Sequence, residues 1–245
     1  MKIRFYLPSL FICATVAFTA CTNESILPED HSEQTLVSEK EAYMNFVSEL
    51  ETEYKGKTVY HNYNRPDYST EIKQLLESSI ETVNEDQPET RSISGMSYGP
   101  WGGSSGYAFD ARLMLYPDEK WKKLSAIKIR AHKYIDAIQL YWINDQGNAS
   151  CSAQYGRNGG DEYWIFLAPN EYIVGANIKY AKLVDNLTFI TNFNVHTFGG
   201  AGGTSTANVH FGASGQQLHG VYGRADKFID NIGFYCYPNS IFPLN

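Results

Sequence analysis

The order of apolar and polar residues divides the chain into three stretches. A largely apolar run, Phe5 to Ala20, opens it. Helical periodicity follows. Ser38 and Glu41 have the spacing of a capping box. Tyr43, Phe46, Val47, Leu50 and Tyr54 then recur every three to four residues, and Gly56 stops that helix. A second helix is expected from Ser69, with Ile72, Leu75, Leu76, Ile80 and Val83 on one face, ending near Asn84 and Pro88. From Ser94 the helical period disappears. Alternation replaces it, as in Ala126-Ile127-Lys128-Ile129-Arg130 and Ile138-Gln139-Leu140-Tyr141-Trp142, which means β-strands with an apolar face. Gly102-Gly103, Gly159-Gly160, Gly199-Gly200 and Gly202-Gly203 separate the strands.

The opening run follows Lys2 and Arg4, is short for a membrane span and ends in small residues, so it reads as a secretory signal. Phe18-Thr19-Ala20-Cys21 is similar to the lipobox of bacterial lipoproteins, with Phe18 where Leu is usual. That resemblance implies lipidation of Cys21 as the mature N-terminus. With Thr22 next, it implies sorting to the outer membrane of a Gram-negative cell. Each buried CH₂ of such an anchor contributes about 0.8 kcal/mol. Processing would leave Cys151 and Cys236 in an oxidising compartment, either as one disulfide or as two small buried hydrophobes.

Charge sharpens this division. The whole chain carries −7, with 19% charged residues. Residues 22–93 hold 16 acidic against 6 basic side chains, whereas 94–245 hold 11 against 12. The acidity belongs to the helical stretch, expected to be a tether (22–36) and spacer lifting a nearly neutral β domain off the membrane. The pI near 5.4 argues against a nucleic-acid partner.

The β region repeats itself. Lys133-Tyr134-Ile135-Asp136-Ala137-Ile138 returns as Lys182-Leu183-Val184-Asp185-Asn186-Leu187, and again as Lys227-Phe228-Ile229-Asp230-Asn231-Ile232. The offsets are 49 and 45 residues. Repeats of this period point to a symmetric architecture of similar units. Three sheets about a pseudo-threefold axis, each with one Asp loop and one Gly loop at the same end, account for them most simply.

Here the chain resembles the jacalin-like lectins. The motifs are Gly99-Pro100-Trp101-Gly102-Gly103 with Ser105-Gly106-Tyr107-Ala108-Phe109-Asp110, Leu167-Ala168-Pro169-Asn170-Glu171-Tyr172-Ile173, and Phe228-Ile229-Asp230-Asn231-Ile232-Gly233. The resemblance implies a mainly β fold, the β-prism I of three four-stranded Greek-key sheets, over residues 94–245. It also implies a sugar site in which Asp230 accepts hydrogen bonds from two hydroxyls, Lys227 and Phe228 offer backbone N–H groups, and Gly103 or Gly106 offers one from the facing loop. Asp226 stands where the family's Gly-x-x-x-Asp loop has glycine, so it either binds a hydroxyl or obstructs the pocket. The stretch between Ile173 and Leu187 is short for a galactose-stacking loop, and Tyr180 is its nearest aromatic. A mannose/glucose-type glycan is therefore expected. By the repeat, Asp136 with Gly159 and Gly160, and Asp185 with Gly202 and Gly203, form second and third sites. The opposing reading is that each Asp caps its own turn.

No catalytic pattern competes. Gly102-Gly103-Ser104-Ser105-Gly106 matches a hydrolase elbow formally, but a strand pattern follows it instead of a helix. His132, His196, His210 and His219 lack metal-ligand spacing. The expectation is a non-enzymatic, lipid-anchored lectin with no cofactor or metal, working alongside companion glycan-processing proteins. The alternative is a protein-interaction or assembly module that kept the prism and lost its sugar pocket.

Overall fold

Three hairpins, each carrying one copy of the repeat, form the centre of the protein. In the computed structural model they are β4 (Lys123–Ala131) with β5 (Ile135–Ile143), β9 (Ile173–Tyr180) with β10 (Val184–Thr191), and β13 (Gln216–Ala225) with β14 (Ile229–Pro238). The structure describes residues 41–61, 95–112, 123–143 and 149–238. The apolar run Phe5–Ala20, Cys21, the tether and the expected helix from Ser69 lie outside the described residues.

Each hairpin gains outer strands. The first sheet runs β1-β8-β4-β5-β6, with β7 also on β5. Its outer members are β1 (Thr58–His61), β6 (Ala149–Cys151), β7 (Tyr155–Gly156) and β8 (Asp161–Phe166). The second runs β11-β10-β9-β12, with β11 Val195–Gly199 and β12 Ser205–His210. The third runs β2-β14-β13-β3, with β2 Met96–Gly102 and β3 Tyr107–Ala111. The inner faces of all three sheets meet in one core. Ile127, Ile129, Ile138 and Leu140 come from the first sheet, Ile178, Leu187 and Phe189 from the second, and Val221, Ile232 and Phe234 from the third. Alternation along each strand puts these residues on one face, and closing three such faces on one another removes them from water. The expected mainly β, three-sheet prism is the architecture found.

The helical stretch does more than space the prism from what precedes it. Residues 41–49 are helical and lead into a short helix, Glu51–Tyr54. Tyr43, Phe46 and Leu50 are buried against Ala126, Tyr141, Trp164 and Phe166 on the outer face of the first sheet. Tyr54 packs edge-on to Phe166 at 5.1 Å, and Tyr141 donates its hydroxyl to Glu53 at 3.0 Å. Past Gly56 (φ 75°), β1 pairs in parallel with β8, Thr58 opposite Tyr163 and Val59 opposite Trp164. The expected division at residue 93 is therefore not a division of the packing: residues 41–61 complete the first sheet. The physical reason lies in that sheet. Trp164 and Phe166 face outward while Ile165 faces the core, so β8 is apolar on both sides and requires a cover.

The two cysteines do not bridge. Cys236 is buried in the core, where burial pushes its thiol pKa up, and Cys151 is exposed at the sheet edge.

Candidate functional site

In every hairpin the repeat occupies the turn and the second residue of the following strand. Ala131 pairs with Ile135 and Arg130 with Ala137, so Asp136 has no partner in the ladder. Tyr180 pairs with Val184 and Lys179 with Asn186, bypassing Asp185. Ala225 pairs with Ile229 and Arg224 with Asn231, bypassing Asp230. Each aspartate is the extra residue of a β-bulge. A bulge re-aims a side chain that strict alternation would send to one sheet face. Here it frees each carboxylate to meet the glycine loop beside it.

Those loops fit the carboxylates closely. Gly102, Gly156 and Gly199 all have positive φ, at 131°, 93° and 89°. The residue after each donates its N–H to the carbonyl of the corresponding aspartate: Gly103 to Asp230 at 2.8 Å, Arg157 to Asp136 at 3.2 Å and Gly200 to Asp185 at 2.9 Å. A Cβ on Gly106 would lie 2.5 Å from Asp230 Oδ2, and one on Gly160 would lie 2.7 Å from Asp136 Oδ2. Gly159 and Gly202 likewise abut the Oδ1 atoms of Asp136 and Asp185. Glycine is required here because the main chain passes where a side chain would sit. The structure brings Asp230 together with Gly103 and Gly106, Asp136 with Gly159 and Gly160, and Asp185 with Gly202, whereas Gly203, also expected at Asp185, lies against Tyr180 and Lys179 instead.

Two arginines outside the expected site residues hold these loops. Arg224 donates from Nε to Ser105 O at 3.0 Å and from Nη2 to Gly106 O at 2.8 Å. Arg130 does the same to Gly159 O at 2.8 Å and Gly160 O at 2.9 Å, and its Nη1 pairs with Glu162 at 2.6 Å. The signal was present in the sequence. A basic residue stands six places before each aspartate, as Arg130, Lys179 and Arg224.

The carboxylates are mostly covered, at 5 to 6% exposure. Desolvation is the largest influence on Asp230 and raises its pKa above the usual carboxylate value. The Asp226 charge adds to the rise, while a backbone hydrogen bond from Asp226 and the Arg224 charge oppose it. Desolvation likewise raises Asp136, against Arg130, His132 and Lys227. Both therefore take a backbone hydrogen bond within their own turn, as a turn cap does. Asp185 differs: its buried Oδ2 has no hydrogen-bond partner.

The turns also touch one another around the end of the prism. Gly103 lies against the Lys182 carbonyl and Gly200 against the Lys133 carbonyl. Asp226 follows Ala225 in the Asp230 turn. Its carboxylate pairs with Arg157 of the neighbouring glycine loop at 2.8 Å, both side chains well exposed. Phe228 packs edge-on to Tyr134 at 5.2 Å, and Lys227 Nζ lies 5.4 Å from the Phe228 ring. Tyr180 ends β9 opposite Val184 and Ser205, so it belongs to the Asp185 hairpin and not to the Asp230 pocket. Ser104 sits in a loop followed by β3, not by a helix, which removes the hydrolase elbow. Among the described residues no group of His, Cys, Asp and Glu could hold a metal ion.

The arrangement is one of hydrogen-bond acceptors and close-lying backbone at the end of a rigid scaffold, suited to binding hydroxyl groups. The profile of the Jacalin-like lectin domain matches residues 98–235. Jacalin-related lectin 3 of Arabidopsis thaliana is 31% identical over 152 residues, 58% of this chain but only 24% of that protein. Horcolin of Hordeum vulgare is 28% identical over 57% of the chain and 95% of its own length. Among solved structures, a mannose-binding jacalin-related lectin from Ananas comosus matches with TM-score 0.51 and 28% identity, over 59% of this chain and 98% of that one. Malaysian banana lectin matches with TM-score 0.50 and 26% identity, over 60% and 100%. With its profile and three-sheet fold in accord, the chain belongs to the jacalin-like lectin domain family, whose members bind carbohydrate and are not enzymes.

Proposed function

We propose that this protein is a lectin that takes pyranose hydroxyls at the loop end of its prism, with Asp230 as the principal acceptor and Asp136 and Asp185 as acceptors of two further sites. The observation that carries this is the threefold recurrence of a bulged aspartate under a glycine loop. The ion pair of Asp226 with Arg157 supports a reading in which Asp226 does not obstruct Asp230. A mannose/glucose-type preference is supported by the printed descriptions of two similar proteins, the Ananas lectin as mannose-binding and one from Parkia platycephala as mannose/glucose-specific. A single site of this kind binds near millimolar, about −4 kcal/mol, so two or three working together matter more than any one contact. We further propose that the lipobox-like Cys21 anchors the protein to an outer membrane, where it would serve companion glycan-processing proteins.

A glycan array with the parent protein and Asp230→Ala tests the reading. Retention of mannose- or glucose-terminated glycans by the parent and its loss in the variant is the expected result. Failure of the parent to retain any glycan, with a stable protein partner captured instead, would favour the assembly module.

A further inference from the structure

The three units share a bulged aspartate beside a glycine loop but differ in the first ladder-paired residue after that loop. Strand register identifies that position without ambiguity. Tyr107 lies opposite Ala225 at the start of β3, Asp161 opposite Ala131 at the start of β8, and Ser205 opposite Tyr180 at the start of β12. Only the Asp230 unit has an aromatic there. Tyr107 is 76% exposed, whereas Phe109, two residues along the same strand, is buried and stacked on Tyr155 at 4.5 Å. A tyrosine continuing the phase of the core-facing residues, but left in water beyond the end of the core, has no packing role there.

Its position gives it another. Tyr107 directly follows Gly106, whose Cα a side chain could not share with Asp230 Oδ2, so one peptide unit of about 3.8 Å separates it from the glycine lying over that carboxylate. The residue opposite it, Ala225, leads into Asp226, and Asp226 reaches Arg157 at 2.8 Å. The pocket carboxylate, an exposed ring and a rim ion pair thus share one margin of the Asp230 site.

We propose that Tyr107 forms a second subsite, present only at the Asp230 pocket, which takes the apolar face of the next sugar of an oligosaccharide whose terminal residue is held by Asp230. The inference rests on the reading of Asp230 as a sugar acceptor. A pyranose ring has a C–H face that hydrogen bonds leave unsatisfied, and a tyrosine offers a large rigid surface of matching polarity with few rotors to immobilise. Asp161 and Ser205 offer no such surface, so the other two pockets take terminal residues alone.

The test isolates the Asp230 pocket in full-chain protein carrying Asp136→Asn and Asp185→Asn. Isothermal titration compares methyl α-mannoside with an α-linked mannobiose, before and after adding Tyr107→Ala or Tyr107→Phe. The expected result is unchanged monosaccharide affinity in both variants, with disaccharide affinity reduced about tenfold in Tyr107→Ala and retained in Tyr107→Phe. Equal disaccharide affinities in Tyr107→Ala and its parent would overturn the subsite while leaving Asp230 as a sugar acceptor. Equal losses for both sugars would also overturn it, because Tyr107 would then belong to the primary pocket. Absence of binding before Tyr107 is changed would overturn both readings.

Discussion

The two sides of the first sheet's surroundings show opposite uses of burial. Over its outer face, Tyr43, Phe46 and Leu50 cover Trp164 and Phe166, apolar on apolar. At its end, the Gly159–Gly160 loop covers Asp136, a carboxylate whose ionisation that cover opposes. The first contact stabilises the fold and presents nothing to a ligand. The second strains ionisation and presents an acceptor. Stability and binding are thus assigned to different parts of one sheet, and substitutions should separate them.

The largest expected effect is on the covered face. Phe46 is fully buried, so Phe46→Ala should cost about 3–5 kcal/mol and lower the Tm in calorimetry by roughly 2–4 °C for each of those, with glycan affinity of the folded protein unchanged. A parallel loss of affinity would join the two regions that the comparison separates. The next effect concerns His219, buried beside Tyr237 at 5.0 Å, where burial lowers its pKa to about 4. A depressed histidine stabilises the fold fully above its unfolded value of 6.5 and loses that contribution as pH falls toward 4. Stability should therefore drop by up to about 3 kcal/mol across that window, and His219→Phe should flatten the slope of Tm against pH. The smallest effect is at the exposed Arg157–Asp226 pair. Arg157→Ala should cost less than about 1 kcal/mol, and added salt should erase the difference in denaturant midpoint.

Much of the loop end was legible in the sequence, because the three copies of the repeat share one local conformation. Lys133, Lys182 and Lys227 mark equivalent turns, and the pairing of each aspartate with its glycine loop follows from symmetry. The arginine clamps were legible too, six residues before Asp136 and Asp230, since a recurring basic residue is part of the same repeat. Two features were not. Thr58–His61 carries no alternation of its own, and its partner Tyr163–Phe166 lies about a hundred residues away, so only tertiary packing makes it a strand. The helix of Tyr43, Phe46 and Leu50 was readable as amphipathic, but its docking depends on Trp164 and Phe166 facing outward, which follows from where β8 lies in the sheet. The direction of Asp226 likewise depends on Arg157, a residue of another repeat brought close by the closure of the prism.

The central claim is that the three bulged carboxylates serve binding and not folding. Replacing Asp136, Asp185 and Asp230 together by Asn keeps their shape while removing the charge. Burial raises the pKa of Asp136 and Asp230, so their ionised forms oppose folding at neutral pH. That opposition is absent below the unfolded carboxylate value and grows as pH rises through the folded one. Calorimetry and mannoside titration on the same triple variant at pH 7 are the direct measurement. The account predicts a Tm equal to or above the parent's with glycan binding abolished. A lower Tm with binding retained would contradict it and make the carboxylates caps of their own turns.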